Sequence, residues 1–179
     1  MRKVLFILGQ LNDSDVEWLA TTGERQNIKA GTEFIAEGSD LDTVYLILEG
    51  HMSVWAGNRV KLATVSSGDI LGEMSLIDSS KTSASVRCET PSVVLAISKA
   101  QLTARLKSDV GFAARFYKAL ALFLADRMRN TIRRMGYGNL QDEPPRGDTE
   151  MDELDPEVLD NVHLAGARFE RILQKLART

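Results

Sequence analysis

The period of the hydrophobic pattern changes several times along this chain. The first regular stretch, LNDSDVEWLA, places Val16, Leu19 and Ala20 at i, i+3 and i+4 behind Asn12, Asp13 and Ser14, any of which can cap. That grammar predicts a short amphipathic helix. From Gln26 to Ser98 the pattern becomes short alternating runs rich in β-branched residues, TVYLIL, HMSVW, VKLATV, ASVRC and SVVLAI. They are broken at Gly31, Gly38, Gly50, Gly57, Gly68 and Gly72. Seven or eight strands joined by glycine turns are predicted. Strands so short would leave unpaired edges in an open sheet, so a closed sandwich, jelly roll or barrel is expected.

Helical spacing returns over Lys99–Lys107 and again over Asp109–Met135. The second run is about 27 residues, roughly 40 Å at 1.5 Å per residue, and outreaches a small roll. Its apolar positions Phe112, Phe116, Leu120, Phe123, Met128, Ile132 and Met135 form a stripe that one roll covers only in part. A second copy of the chain is the economical cover, which predicts a homodimer through the 109–135 helix. Asp155-Pro156-Glu157 opens a last helix with a cap, a proline where a missing N–H costs nothing, and an acidic first turn. Val158, Leu159, Val162, Ala165, Phe169, Ile172, Leu173 and Leu176 give it one apolar face, with Arg168, Arg171, Lys175 and Arg178 on or near the other. That face must be buried against its own core, a sister chain or an unidentified protein partner, and the pattern leaves all three open.

The chain has 179 residues, 44% of them hydrophobic, and a net charge of −3. A sizeable core is affordable, and neither global disorder nor a basic nucleic-acid footprint fits. Residues 1–137 carry 17 basic and 15 acidic side chains, whereas 138–179 carry 5 and 10. The stretch NLQDEPPRGDTEMDELDP holds three of the four prolines and few large apolar groups, so it cannot offset its ordering entropy by burial. The organisation predicted is therefore a domain over 1–137 including the long helix, an acidic linker over 138–155, and a tail helix over 156–179. The apolar run Val4–Leu8 is five residues, shorter than the roughly 7–15 of a signal peptide core and the ~20 of a membrane span. A cytoplasmic protein with no membrane span is expected.

Chemistry is sparse. Cys88 is the only cysteine, and with His51 and His163 alone beside it neither a zinc cluster nor a cupin-type metal centre can be assembled. No nucleophile elbow or phosphate-binding P-loop occurs, and Cys88 shares parity with Ala84 and Val86, as a small core residue would. Only 42 residues follow Tyr137, with one readable helix, so no helix-turn-helix and no DNA readout are expected. Arg127, Arg129, Arg133 and Arg134 lie at the end of the long helix, where cations complement the carbonyl terminus.

The segment GDILGEMSLIDSSKTSASVR, Gly68 to Arg87, resembles the phosphate-binding cassette of cyclic nucleotide-binding domains. The resemblance extends to AGTEFIAEG (Ala30–Gly38), to VYLILEGHMSV (Val44–Val54) and to the helix after the strands. About 125 residues are similar to the sensor half of catabolite activator and FNR-type regulators. It implies an α+β fold: a cyclic nucleotide-binding-type β-roll (double-stranded β-helix or jelly roll) with an N-terminal helix, a long C-terminal helix and, here, an extra tail helix. It implies a ligand, cyclic AMP or another cyclic nucleotide, held by Gly72, Glu73, Met74, Ser75, Thr82 and Ser83, with no resident cofactor. Amides of about Glu73 to Leu76 would face the phosphate, and Glu73 would accept from a ribose hydroxyl. This chain departs from the family at one position. The arginine that grips the phosphate stands ten residues beyond the leading glycine, and here that residue is Thr82, preceded by Lys81. Loss of a charge-assisted bond of about 1.5–3 kcal/mol weakens binding roughly ten- to a hundredfold. Lys81 replaces it only by facing inward, and on an extended strand Lys81 and Thr82 point to opposite faces. The function expected is a non-enzymatic regulatory sensor that signals through its C-terminal helices to a protein partner. The alternative is a degenerate roll that no longer binds nucleotide and serves as a dimeric scaffold.

Overall fold

A computed structural model describes residues 4–57, 59–78, 80–134 and 156–176. Among these residues eight strands form: β1 (Glu24–Ile28), β2 (Glu33–Ile35), β3 (Thr43–Glu49), β4 (His51–Ala56), β5 (Val60–Ser66), β6 (Ile70–Leu71), β7 (Ser85–Cys88) and β8 (Ser92–Ser98). They pair antiparallel into two four-stranded sheets, in the orders β1-β8-β3-β6 and β2-β7-β4-β5. The six glycines predicted to turn the chain all adopt positive φ.

The alternation of β3 and β8 divides the apolar residues between two cores. Val44, Leu46 and Leu48 of β3, with Leu95 and Ile97 of β8, face outward into a layer of helices. Ile47 and Val94 face the other way, into the space between the sheets, where they meet Met52, Val54, Val65, Leu71, Val86 and Cys88. Successive side chains on a strand point to opposite faces, so a nearly continuous apolar run is buried on both sides. Cys88 is the small core residue expected, and burial pushes its thiol pKa up.

Among the described residues six helices flank the roll: α1 (Val4–Gln10), α2 (Asp13–Thr22), α3 (Met74–Ile77), α4 (Lys99–Ser108), α5 (Val110–Arg134) and α6 (Pro156–Leu176). Helix α2 carries a capping box: Asn12 Oδ1 accepts from Asp15 N at 2.9 Å while Asp15 Oδ2 accepts from Asn12 N at 2.9 Å. Helix α1 was not anticipated. Its run VLFILGQ is apolar without a helical period, and it becomes a helix by burying Ile7 and Leu8 against the other helices. Met135 and the linker 138–155 lie outside the described residues. The tail helix docks on its own chain: Ala165 and Ile172 are buried in the helix-side core, and Phe169, Leu173 and Leu176 pack against it. Its basic residues line the seam with α2. Arg168 Nε donates to Asp13 Oδ1 at 2.9 Å and its Nη1 to the Leu8 carbonyl at 3.0 Å, Arg171 lies 3.2 Å from Asp13 Oδ2, and Lys175 pairs with Glu17.

The long helix is tied to α2 by a bidentate pair. Arg115 Nε donates to Asp15 Oδ2 at 2.6 Å and Nη2 to Oδ1 at 3.0 Å, with Asp15 wholly buried. Burial raises the pKa of this carboxyl, but the Arg115 bonds and the Asn12 amide outweigh it and hold it below the ordinary value. Removing one partner of a dry pair costs about 3–5 kcal/mol. Arg115 is 34% exposed, so Arg115→Met is expected to cost about 2 kcal/mol, read as a lower urea midpoint at pH 7. A depressed native pKa stabilises above the unfolded carboxylate value of about 3.9 and is lost as pH falls through the native value, so the gap between variant and wild type should narrow at pH 3.

Candidate functional site

The turn from β6 into α3 forms because Gly72 takes φ +82°. A Cβ there would stand 2.7 Å from the Thr43 carbonyl oxygen and 2.8 Å from Leu41 Cδ2, so only glycine allows the strand to enter the turn this close to β3. The chain then places Glu73 in the interior, 3% exposed, and leaves Met74 52% exposed. Helix α3 is a single turn, and the Leu76 amide, one of those expected to face an anion, bonds to the Glu73 carbonyl at 3.2 Å.

A cavity of about 280 Å³ opens beside this turn, near the lower end of the roughly 300–1,000 Å³ of ligand clefts. Gly72, Glu73, Met74, Ser75, Thr82 and Ser83 all line it, so the six residues singled out in the sequence converge. Ile35, Val54, Leu71 and Val86 supply an apolar floor from the roll interior, and Lys81, Asp78 and Arg127 complete the charged wall.

Hydroxyl groups in this wall are largely committed. Thr82 Oγ1 donates to the Ala36 carbonyl at 2.6 Å and accepts from Ser39 N at 3.0 Å, while its backbone pairs with the same loop through Gly38 N and Ser39 O. At the position where the family carries its arginine, this chain therefore has a strut bracing the segment 80–84 against the β2–β3 loop. Ser75 Oγ donates to the Gly72 carbonyl at 3.2 Å and accepts from Lys99 Nζ at 2.5 Å. Burial lowers the Lys99 pKa, and the charges of Asp42, Asp78 and Glu73 partly restore it. Lys81 is 66% exposed, with Asp40 at 4.0 Å. The extended strand that would point Lys81 and Thr82 to opposite faces is absent, because residues 80–84 are irregular and the strand begins only at Ser85.

Arg127 was missed as a site residue. Read as a cation at a helix terminus, it instead reaches from α5 across the cavity mouth, its Nη1 2.7 Å from Glu73 Oε1. Burial pushes the Glu73 carboxyl above its ordinary value, and the Arg127 charge draws it part of the way back. The available signal was spacing along α5: Arg127 falls four residues beyond the buried Phe123, one turn further along nearly the same face. Of the other candidates, His51 is exposed and His163 lies outside the residues whose side chains are described. Among the described residues no group of three metal-ligating side chains occurs.

Residues 25–109 match the family model of the cyclic nucleotide-binding domain, and the β-roll of this chain belongs to that family. The chain is 30% identical over 129 residues to uncharacterized NTE family proteins of Mycobacterium bovis and Mycobacterium tuberculosis, covering 72% of itself and 22% of them. It is 37% identical over 83 residues to the Pycsar effector protein PaPycTIR of Pseudomonas aeruginosa, covering 46% of itself and 27% of that protein. The chain thus spans about a fifth to a quarter of the length of these relatives. A cyclic nucleotide-binding domain from Methylobacillus flagellatus superposes with a TM-score of 0.67 at 23% identity, over 80% of this chain and 88% of that one. That likeness shows the shared fold.

Thr82→Val removes the hydroxyl bonds to the β2–β3 loop and leaves Ser39 N without its acceptor. It is expected to cost about 1–2 kcal/mol and lower the thermal midpoint followed by circular dichroism. A variant as stable as wild type would show that the hydroxyl is not a strut.

Proposed function

We propose that the chain is a non-enzymatic sensor that takes a cyclic nucleotide, cyclic AMP or a close analogue, in the Gly72–Ser83 cavity and reports occupancy through α5 and α6 to a protein partner. One observation carries the reading. The cavity is walled jointly by the cassette turn and by α5, and the Glu73–Arg127 bond ties the two. A guest between them meets both, so occupancy favours whichever placement of α5 it binds more tightly. Helix α6 shares the helix-side core with α5, so a displacement of α5 reaches the tail. The domain's family and the relative named as an effector both support a regulatory role. Among the described residues no helix is long and apolar enough to cross a membrane, and the reading places the protein in the cytoplasm.

The sensor would work as a dimer. Phe112, Phe116, Leu120 and Phe123 are buried on the chain's own core, whereas Met128 and Ile132, further along α5, are 62% and 45% exposed. A second copy covering the distal half of α5 would remove that apolar surface from water.

Calorimetry with cyclic AMP and cyclic GMP should give saturable heat, and Thr82→Arg should raise affinity at least tenfold by restoring a charge-assisted bond. No heat with either protein would make the roll a scaffold without a ligand. Separately, Ile132→Glu combined with Met128→Glu should shift the sedimentation coefficient from dimer to monomer with the circular dichroism spectrum unchanged. A wild-type monomer would overturn the dimer.

A further inference from the structure

We propose that Arg127, on the long helix, is the residue that receives the ligand's anionic group, in place of the arginine that the cassette lacks. The inference rests on the nucleotide-binding reading of the cavity. Among the described residues four charged side chains line that cavity, Glu73, Asp78, Lys81 and Arg127, and their charges cancel. An anion entering it needs a donor whose hydrogens are still available. Thr82 has spent its one hydroxyl hydrogen on the Ala36 carbonyl. Lys81 is a hydrated point charge, 66% exposed and set beside Asp40 at 4.0 Å, and an exposed ammonium adds little to binding. Arg127 is different in kind. Its side chain is 31% exposed at the cavity wall and, among the described residues, gives Nη1 alone to Glu73. Arginine carries five N–H donors in a planar fork that suits phosphate oxygens. A phosphate accepting from the remaining donors competes with Glu73 for the guanidinium, and a released Glu73 carboxylate is free to accept from a sugar hydroxyl. Ligand charge would then be read by a side chain of the moving helix.

The test compares cyclic AMP with adenosine, which lacks the phosphate, on full-length protein by calorimetry. Wild type should bind cyclic AMP about ten- to a hundredfold more tightly than adenosine, the worth of a charge-assisted bond. In Arg127→Gln that preference should disappear, and in Lys81→Ala it should persist. If Arg127 only steadies Glu73, Arg127→Gln will weaken both ligands alike and keep the preference, which overturns the assignment. So does a preference lost in Lys81→Ala. Should a buried, unpaired Glu73 unfold the single variant, the double variant Glu73→Gln with Arg127→Gln removes that charge and is read in the same way. Wild type binding neither compound sinks the cavity reading itself, and this assignment with it. Binding both equally sinks the assignment alone.

Discussion

The arrangement depends on one sheet being buried on both faces. Strands β3 and β8 send Leu46 and Leu95 to the helices and Ile47 and Val94 to the roll interior. A single-faced sheet would leave its outer side to water and have no use for α1, α2, α4 or α5. Because the outer face is apolar, the helices must cover it. Covering it lays α5 along the roll and carries Arg127 to the mouth of the cavity. The wall of the site is thus a consequence of hydrophobic coverage, with the ionic bond to Glu73 added at its end.

Polar ties lock the helices onto this layer. The Asp15 carboxylate serves two masters, closing the capping box of α2 and holding Arg115 of α5. Arg168, Arg171 and Lys175 do the same work at the tail, fastening α6 to the acidic side of α2. Lys99 connects the first residue of α4 to Ser75 in the cassette. The cassette is therefore linked to two helices, α4 through Ser75 and α5 through Glu73, each by a single bond between side chains.

Much of this was legible in the residues. Alternation predicted the strands, the six glycines marked turns that all need positive φ, and Gly72-Glu73-Met74-Ser75 marked the cassette. The apolar stripe of α5 was legible too, buried up to Phe123 and exposed at Met128 and Ile132. Helix α1 was not legible, because VLFILGQ is apolar all round and its conformation is decided by what it packs against. Arg127 was legible only as far as its face of α5, four residues beyond Phe123, because a basic residue near a helix end has the same local pattern whether it meets water or a buried carboxylate.

What the order of residues determined alone was everything with a short range: period, turn chemistry, caps and the absence of an arginine at Thr82. These follow from steric and hydrogen-bonding rules acting over a few neighbours. Tertiary structure decided which charges meet. It paired Arg127 with Glu73 across 54 positions, gave the Thr82 hydroxyl to a loop 46 positions away, and folded α6 back onto α2 rather than leaving its apolar face open. Contacts at such separation are set by how whole layers pack, since a side chain's partner is whatever the packing brings within about 3 Å of it.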